Sequence, residues 1–284
     1  MTGPKSVQDN PLDPVSRALS RAIADIDGGI LLVVTGAGIS AASGIPTFRG
    51  TDPKAVWRQS DVRLATRDYF LQDPVGQLEW YFDRFEKARG AEPNPAHRAL
   101  VELESYIQSR GGSFQLVTQN IDTLHELAGS NRVIKVHGTI NRLRCSRNGC
   151  TLGAPNGSVP LASVEIEHFL RHPSRATLPR CPACDSLLRA HVLFFDEHYF
   201  EHGDYRFAEV EQYGCDADVI LFIGTSFSVG VTDLLAQSAS RSGAPMYSIN
   251  TLAEDVPYAN IHRITDRAER VLPAIVRHLE SLVA

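Results

Sequence analysis

Apolar residues along the chain occur in short runs, separated by longer stretches in which they recur at helical spacing. The runs are residues 30–34, 114–117, 133–136, 218–223 and 245–249. A short, largely continuous apolar run is typical of a parallel strand that is buried on both faces. The stretches between the runs, such as residues 15–27 and 94–110, place apolar residues three or four apart, as an amphipathic helix does. This alternation predicts an α/β fold with a doubly wound, Rossmann-like parallel sheet.

Two segments interrupt the alternation. Residues 51–92 carry many aromatic residues and no strand pattern, which predicts a helical insert. Residues 139–187 contain several prolines and four paired cysteines, which predicts a second insert without a large core. We expect the inserts to form a smaller domain beside a large domain made of residues 15–50, 93–138 and 188–284. Residues 1–14 hold three prolines and are expected to be a flexible tail rather than a signal peptide.

The first strand is followed by residues 36–41, Gly-Ala-Gly-Ile-Ser-Ala, which fit the dinucleotide-binding pattern G-x-G-x-x-G/A. Glycines allow a sharp turn and let a pyrophosphate approach the main chain, and the N–H groups of the following helix then face the anion. The match is weak alone, because a tight strand-to-helix turn explains it equally well. The acidic residue expected about 20 positions later, at the end of a second strand, is missing. The pattern therefore does not indicate an ordinary dehydrogenase.

Charge and hydropathy exclude two classes of partner. The 284 residues carry a net charge of −5 and no basic run, so direct binding of nucleic acid is not expected. No apolar stretch approaches the roughly 20 residues that cross a bilayer, so no membrane segment is expected. We expect a cytoplasmic protein.

Four of the five cysteines form two close pairs. They are Cys145, Cys150, Cys181 and Cys184. Four thiolates in a tetrahedron about 2.3 Å from the metal suit a structural Zn²⁺ site. Redox-active or simply buried thiols are the alternative. The fifth, Cys215, is predicted to be a buried apolar residue.

Polar residues, in one case preceded by a glycine, follow several predicted strands at their carboxyl ends. They are Gln119 and Asn120, His137, Gly224, Thr225 and Ser226, and Asn250. The carboxyl ends of parallel strands meet at one edge of a sheet, so these residues predict one ligand site. Taken singly, each has a structural alternative: Asp122 can cap a helix, and a lone histidine after a strand is more often structural than catalytic.

Tyr81 and Arg84 are three residues apart and so share one face of a predicted helix. A hydroxyl beside a guanidinium suits a carboxylate ligand. From these residues alone, however, a surface ion pair of Arg84 with Asp83 or Glu86 is the favoured interpretation.

Several of these segments resemble the sirtuin family of NAD-dependent protein lysine deacylases. Residues 36–50, which end Ser-Gly-Ile-Pro-Thr-Phe-Arg-Gly, resemble the first signature of that family. Residues 118–122, Thr-Gln-Asn-Ile-Asp, together with His137-Gly138 and residues 224–226, resemble three others. The resemblance covers nearly all of the chain after about residue 15.

The resemblance implies NAD and Zn²⁺ as cofactors and an acyl-lysine protein or peptide as substrate. His137 would be the general base that takes a proton from a ribose hydroxyl, while Asn120 and Asp122 would hold the leaving group and ribose. The NAD-binding residues would be Gly36, Ala37, Gly38, Ser40, Ile45, Pro46, Thr47, Phe48, Arg49, Gln119, Asn120, Ile121, Asp122, Gly224, Thr225, Ser226, Asn250 and Ala268.

Residues 64–84 resemble the subgroup that removes acidic acyl groups, such as succinyl and malonyl. In that subgroup a Tyr-x-x-Arg pair binds the acyl carboxylate, so the resemblance assigns this role to Tyr81 and Arg84. The implied function is deacetylation together with desuccinylation or demalonylation.

Residues 188–199 resemble the strand of that family that pairs with the substrate peptide, which implies contacts from Val192, Phe195, Asp196 and Glu197. Asp196 stands where the family usually has glycine, so a charged side chain lies where peptide backbone should approach. This departure keeps ADP-ribosyl transfer or NAD hydrolysis open as an alternative. A silent NAD-binding module is a third hypothesis, and the presence of His137, Asn120 and Arg49 speaks against it.

Overall fold

The computed structural model describes residues 12–47, 62–251 and 258–283. The strands in these residues form two sheets. They are β1 (Ile30–Thr35), β2 (Ser113–Thr118), β3 (Val133–Lys135), β4 (Gly138–Cys145), β5 (Val159–Pro160), β6 (Leu188–Val192), β7 (Val219–Ile223), β8 (Met246–Asn250) and β9 (Ile261–Thr265).

The helices of the described residues are mostly amphipathic. They are α1 (Pro14–Ala24), α2 (Arg67–Gln72), α3 (Pro74–Arg89), α4 (Pro95–Ser109), α5 (Leu124–Ala128), α6 (Glu167–Arg171), α7 (Phe207–Asp216), α8 (Gly230–Ser242) and α9 (Ala268–Val283). No helix in this part of the chain is both long and apolar enough to cross a bilayer.

The central sheet has six parallel strands in the order β3-β2-β1-β7-β8-β9. Helices cover both faces. Leu31 and Val33 of β1 pack in one core with α1, α4 and α9, whereas Leu32 and Val34 pack in a second core with α7 and α8. Both sets are buried because β1 is central, which is why its sequence shows no polar alternation. The predicted doubly wound sheet is confirmed.

The strand order reverses between β1 and β7. From β1 the chain moves outward through β2 and β3, and it returns beside β1 only at β7. The loops after β1 and β7 therefore leave the sheet in opposite directions and open a crevice between them. This is where the sequence places its two glycine-containing turns.

The second sheet is antiparallel and has the order β5-β4-β6. Residues 188–192, which are predicted to belong to the large domain, form β6 and pair here with β4 instead of with the central sheet. Their apolar side chains, such as Leu188, fill the core of this sheet together with Phe70, Phe82 and Phe85 of α2 and α3. The helical segment and the second sheet thus share one apolar cluster.

Candidate active site

A cavity of about 770 Å³ opens at the carboxyl ends of β1, β2, β7 and β8. It lies at the crevice created by the reversal of strand order, the usual place for a ligand in an open α/β sheet. Its other side is formed by Tyr81 and Arg84 of α3 and by Val192 and Phe195, at and after the end of β6. The cavity therefore joins the predicted cofactor residues to the predicted acyl-binding residues.

One wall of the cavity is formed by the two short turns that follow β1 and β7. It consists of Gly36, Ala37, Gly38, Gly224, Thr225 and Ser226. A Cβ on Gly38 would lie 2.6 Å from Gly224 Cα, so the two turns can touch only because both positions are glycine. The segment after Gly36 is a 3₁₀ helix, Ala37–Ser43, and the Gly38 N–H donates to Gly224 O at 2.9 Å. The prediction that the N–H groups of this segment are free to face an anion is therefore wrong for Gly38, whose N–H already has a partner.

A hydrogen-bond network supports Asn120 from behind. Its Nδ2 donates to Gly36 O at 3.1 Å and to Ser40 Oγ at 3.2 Å, and Ser40 Oγ donates to Asp122 Oδ2 at 3.0 Å. Asn120 lines the cavity, whereas Ser40 and Asp122 are buried and do not. Asp122 also accepts from the Leu124 N–H at 3.0 Å, in keeping with the capping alternative. In this arrangement Asp122 orients Asn120 through Ser40.

Thr225 links three strand ends. Gln119 Nε2 donates to Thr225 Oγ1 at 3.1 Å, and Asn250 Nδ2 donates to Thr225 O at 3.1 Å. Both amide side chains line the cavity, as do Thr47, Ile121 and Ala268. Ile45 and Pro46 are half-buried and do not line it. Phe48 and Arg49 lie outside the described residues.

His137 follows β3 and lines the cavity at the same edge. Its Nδ1 lies 2.9 Å from the carbonyl oxygen of Gln119, which can only accept, so Nδ1 carries the proton. Nε2 is then an acceptor, and the Tyr199 hydroxyl donates to it at 3.3 Å. Burial lowers the pKa of His137 to about 4, although the Gln119 carbonyl acts in the opposite direction. The imidazole is therefore neutral at pH 7, as a general base must be.

Tyr81 and Arg84 lie side by side on the cavity wall. Tyr81 is 3% exposed and stacks on Phe194 with ring centroids 5.8 Å apart. The Arg84 guanidinium lies 3.9 Å from the centroid of the Trp80 ring. Burial raises the pKa of Tyr81 and lowers that of Arg84, yet neither group changes its charge near pH 7.

Asp83 and Glu86, the expected partners of Arg84 in a surface ion pair, form ion pairs with other residues. Asp83 forms an ion pair with Lys87 at 2.6 Å, and Glu86 forms one with Arg89 at 2.7 Å. Both pairs lie on the exposed side of α3. Arg84 instead faces the cavity, where the guanidinium and the Tyr81 phenol can meet a ligand carboxylate.

The structure corrects the expected role of Glu197. Its side chain is 3% exposed and accepts hydrogen bonds from Arg189 Nη1 at 2.5 Å, Arg144 Nη2 at 3.0 Å and the Phe194 N–H at 3.0 Å. Burial alone would raise the pKa of Glu197, but the hydrogen bond from Arg189 and the charges of both arginines outweigh it and lower that pKa. The carboxylate holds β4, β6 and the following loop together and is not free to bind a peptide.

Asp196 points its carboxylate at the start of α2. Its two oxygens accept hydrogen bonds from the main-chain N–H groups of Arg67 and Asp68. The charge therefore has partners within the protein.

The two cysteine pairs come together between β4 and the turn at residues 181–184. Cys145 Sγ lies 3.5 Å from Cys184 Sγ, and Cys150 Sγ lies 3.7 Å from Cys181 Sγ, with all four sulfurs within 4.8 Å of one another. Zn–S bonds of about 2.3 Å in a tetrahedron place sulfurs about 3.8 Å apart. The four residues fit a closed zinc site. Cys215, by contrast, is exposed on α7, so its predicted burial is wrong.

The Sir2 family model matches residues 36–231, a span that includes most of the cavity wall and all four paired cysteines. The chain belongs to the Sir2 family.

Relatives and solved structures agree with this assignment. A protein of Thermus thermophilus named NAD-dependent protein deacylase is 41% identical over 219 residues, which cover 77% of this chain and 78% of the relative. The mitochondrial NAD-dependent protein deacylase sirtuin-5 of Danio rerio is 35% identical over 237 residues, which cover 78% and 73%. The crystal structure of a Sir2 homologue in complex with NAD has a TM-score of 0.76 and 33% identity, with 97% of this chain and 96% of that chain covered.

Sequence reasoning does not single out Tyr199, the partner of His137 in this Sir2-family protein. An aromatic residue in a loop gives no pattern that separates a site residue from a core residue. The contact arises because the Tyr199 ring stacks on Phe207 of α7, with centroids 4.3 Å apart, and this packing directs the hydroxyl towards His137.

Proposed function

We propose that this Sir2-family protein is an NAD-dependent protein lysine deacylase that removes acetyl groups and acidic acyl groups such as succinyl. The products are nicotinamide and O-acyl-ADP-ribose. The observation that carries the proposal is one cavity in which a neutral histidine, the glycine turns and the Tyr81–Arg84 pair all take part. The family assignment supports the same reaction.

The residues of the sheet edge fit NAD. When bound, NAD supplies a ribose carbon whose bond to nicotinamide can break in favour of an acyl oxygen. Glycine at 36, 38 and 224 lets the two turns pack directly against each other, because a Cβ at any of these positions would collide with the neighbouring turn, and this close packing shapes the wall that would face the pyrophosphate. Asn120 and Gln119, both fixed by hydrogen bonds, present amide groups to a ribose or a carboxamide.

His137 would act as the general base for a ribose hydroxyl. Its tautomer is set by the Gln119 carbonyl, so Nε2 carries the lone pair, and both His137 and Tyr199 line the cavity. The Tyr199 hydroxyl donates to that nitrogen when no ligand hydroxyl is present. A ribose hydroxyl would take over this position and deliver its proton to Nε2.

The acyl group would lie against Val192, Phe194 and Tyr81, all of which line the cavity. These side chains supply apolar surface for the methylenes of lysine and of the acyl chain. At the far end, the Arg84 guanidinium and the Tyr81 hydroxyl would bind a terminal carboxylate. A half-buried guanidinium can bind a carboxylate with two charge-assisted hydrogen bonds, and the phenol beside it adds a third donor.

Zinc would have a structural role, since four sulfur ligands leave no open position. β4 begins directly after His137 and ends at Cys145, the first zinc ligand. The metal would therefore hold the carboxyl end of β4, the strand that begins next to His137.

The test is product analysis with NAD and an acetyl-lysine peptide. We expect nicotinamide and acyl-ADP-ribose in equal amounts, and His137→Ala should reduce both by at least about a hundredfold. NAD binding and thermal unfolding of the variant serve as the folding control. Full activity of His137→Ala would contradict the assigned base. Nicotinamide released without acyl transfer would instead favour NAD hydrolysis or ADP-ribosyl transfer.

A further inference from the structure

Asp196 connects the loop after β6 to the start of α2. Its Oδ1 accepts from the Arg67 N–H at 2.7 Å, and its Oδ2 accepts from the Asp68 N–H at 3.1 Å. The first N–H groups of a helix have no partners within the helix, so a carboxylate placed there satisfies two of them and also meets the positive end of the helix dipole. A residue without a side-chain acceptor could not make this connection.

A main-chain bond lies beside the carboxylate. The Phe195 N–H donates to Ala65 O at 3.0 Å, and both residues line the cavity. We use the term substrate loop for residues 193–197 and the term helical arm for residues 62–89. The two segments are thus joined by three hydrogen bonds within two consecutive residues of the loop.

The helical arm carries this connection on to the acyl-binding residues. The Gln77 side chain of α3 is 1% exposed, and its Nε2 donates to Leu64 O at 2.9 Å and to Thr66 O at 2.7 Å. Gln77, Tyr81 and Arg84 are four and three residues apart, so they share one face of α3. The turn that Asp196 holds is therefore the same turn that Gln77 fixes to the helix bearing Tyr81 and Arg84.

The charge of Asp196 is compatible with an acidic acyl group. Its two oxygens face main-chain N–H groups of α2, whereas Arg84 lines the cavity beside Tyr81. The N–H dipoles of Arg67 and Asp68 partly offset the charge of this carboxylate and so weaken its repulsion of a second anion. Asp196 therefore need not close the site to a succinyl group.

We propose that Asp196 is a positioning residue that fastens the helical arm to the substrate loop and so favours acyl groups with a terminal carboxylate. The specificity part of this inference rests on the proposed deacylase function, whereas the hydrogen-bonded connection between the helical arm and the substrate loop does not. When the carboxylate is removed, the helical arm gains freedom, and the arginine–tyrosine pair must be ordered anew each time an acidic acyl group binds.

The experiment compares wild type with Asp196→Gly and Asp196→Asn in NAD-dependent removal of succinyl and acetyl from one peptide. For Asp196→Gly we expect KM for the succinyl peptide to rise about tenfold, KM for the acetyl peptide to rise less than about threefold, and KM for NAD to stay unchanged. Asp196→Asn should lie between, because its amide keeps one acceptor oxygen. Glu79→Gln is the matched control: it removes one negative charge from the exposed face of α3 and should behave as wild type.

Hydrogen exchange tests the connection between the helical arm and the substrate loop independently of enzyme activity. The amides of Arg67 and Asp68 should lose protection in Asp196→Gly and keep it in Glu79→Gln. Unchanged protection would overturn the proposed connection. An unchanged or lower KM for the succinyl peptide in Asp196→Gly would also overturn it, and would show that the side chain obstructs the groove. If wild type removes no acyl group with NAD, the proposed function and the specificity part fall together, whereas the exchange result still decides the fastening.

Discussion

His137 can take up a proton only while its ring is neutral, and its surroundings keep it neutral over a wide range of pH. Burial disfavours the imidazolium, so the pKa of the folded protein lies at about 4, below the ordinary 6.5. The group therefore loses its function as a base only when the pH falls through that lower value.

The pH profile of kcat/KM tests this environment. We expect no acid limb from His137 near pH 6.5 and a loss of activity as the pH drops through about 4. Circular dichroism at each pH separates loss of the base from unfolding. An acid limb centred near 6.5, with the fold intact, would show that water reaches the ring freely.

Glu197 illustrates how a site prediction can be right in position and wrong in role. The resemblance of residues 188–199 places it in the substrate groove, and Glu197 lies beside the cavity. Its role depends on Arg144 and Arg189, which lie 53 and 8 residues earlier in the chain and meet it only through the pairing of β4 with β6. Sequence spacing does not reveal such a contact.

We expect Glu197→Gln to lower the free energy of unfolding by about 3 to 5 kcal/mol, because two buried guanidinium groups lose their counter-charge. Urea unfolding measures this change. Glu209→Gln, which breaks the exposed pair with Arg206, should cost no more than about 1 kcal/mol. Comparable losses in the two variants would contradict the importance of burial.

The pH dependence of stability has a defined sign at Glu197. Its pKa in the folded protein is lowered, so its contribution is present above the ordinary value of 4.5 and is lost as the pH falls through the folded value.

At the scale of elements, the strands of the central sheet could be predicted because burial on both faces leaves continuous apolar runs. The predicted run at residues 114–117 lies within β2, and the run at residues 30–34 lies within β1. Residues 188–192 are predicted to belong to the large domain, but as β6 they pair with β4 of the second sheet. Their apolar pattern is compatible with either sheet, so it does not identify the partner strand.

The elements around Asp196 could not be predicted from local pattern. The glycine-to-aspartate departure is visible in the sequence, but the partner amides belong to α2, about 130 residues earlier. A charge facing the peptide and a charge capping a distant helix give the same local sequence. Only the packing of the helical arm on the second sheet separates the two.

At the scale of the whole molecule, the zinc site and the acyl-binding wall belong to the same body. Cys145 and Cys181 lie in the apolar cluster that also contains Tyr81, Phe82 and Phe194. The central sheet has its own two cores and does not depend on this cluster. Loss of the metal should therefore affect the acyl side of the cavity more than the sheet edge.

We expect one zinc ion per chain, and its removal or Cys181→Ser should unfold the second sheet first. NAD-dependent deacylation should be lost, while amides of β1 and β7 keep their hydrogen-exchange protection. Cys215→Ser, on the exposed surface of α7, is the matched control and should leave zinc content unchanged. Simultaneous loss of protection in both sheets would contradict the independence of the central sheet from the second sheet.

The most direct test of the whole account is NAD-dependent removal of acetyl and of succinyl from one lysine peptide, by wild type and by Tyr81→Phe/Arg84→Met. We predict that wild type removes both groups and that the double variant loses succinyl removal by at least about tenfold while it keeps acetyl removal. Equal loss of both activities would contradict the assignment of this pair to the acyl carboxylate. If wild type removed neither group while nicotinamide still appeared, the deacylase function itself would be contradicted.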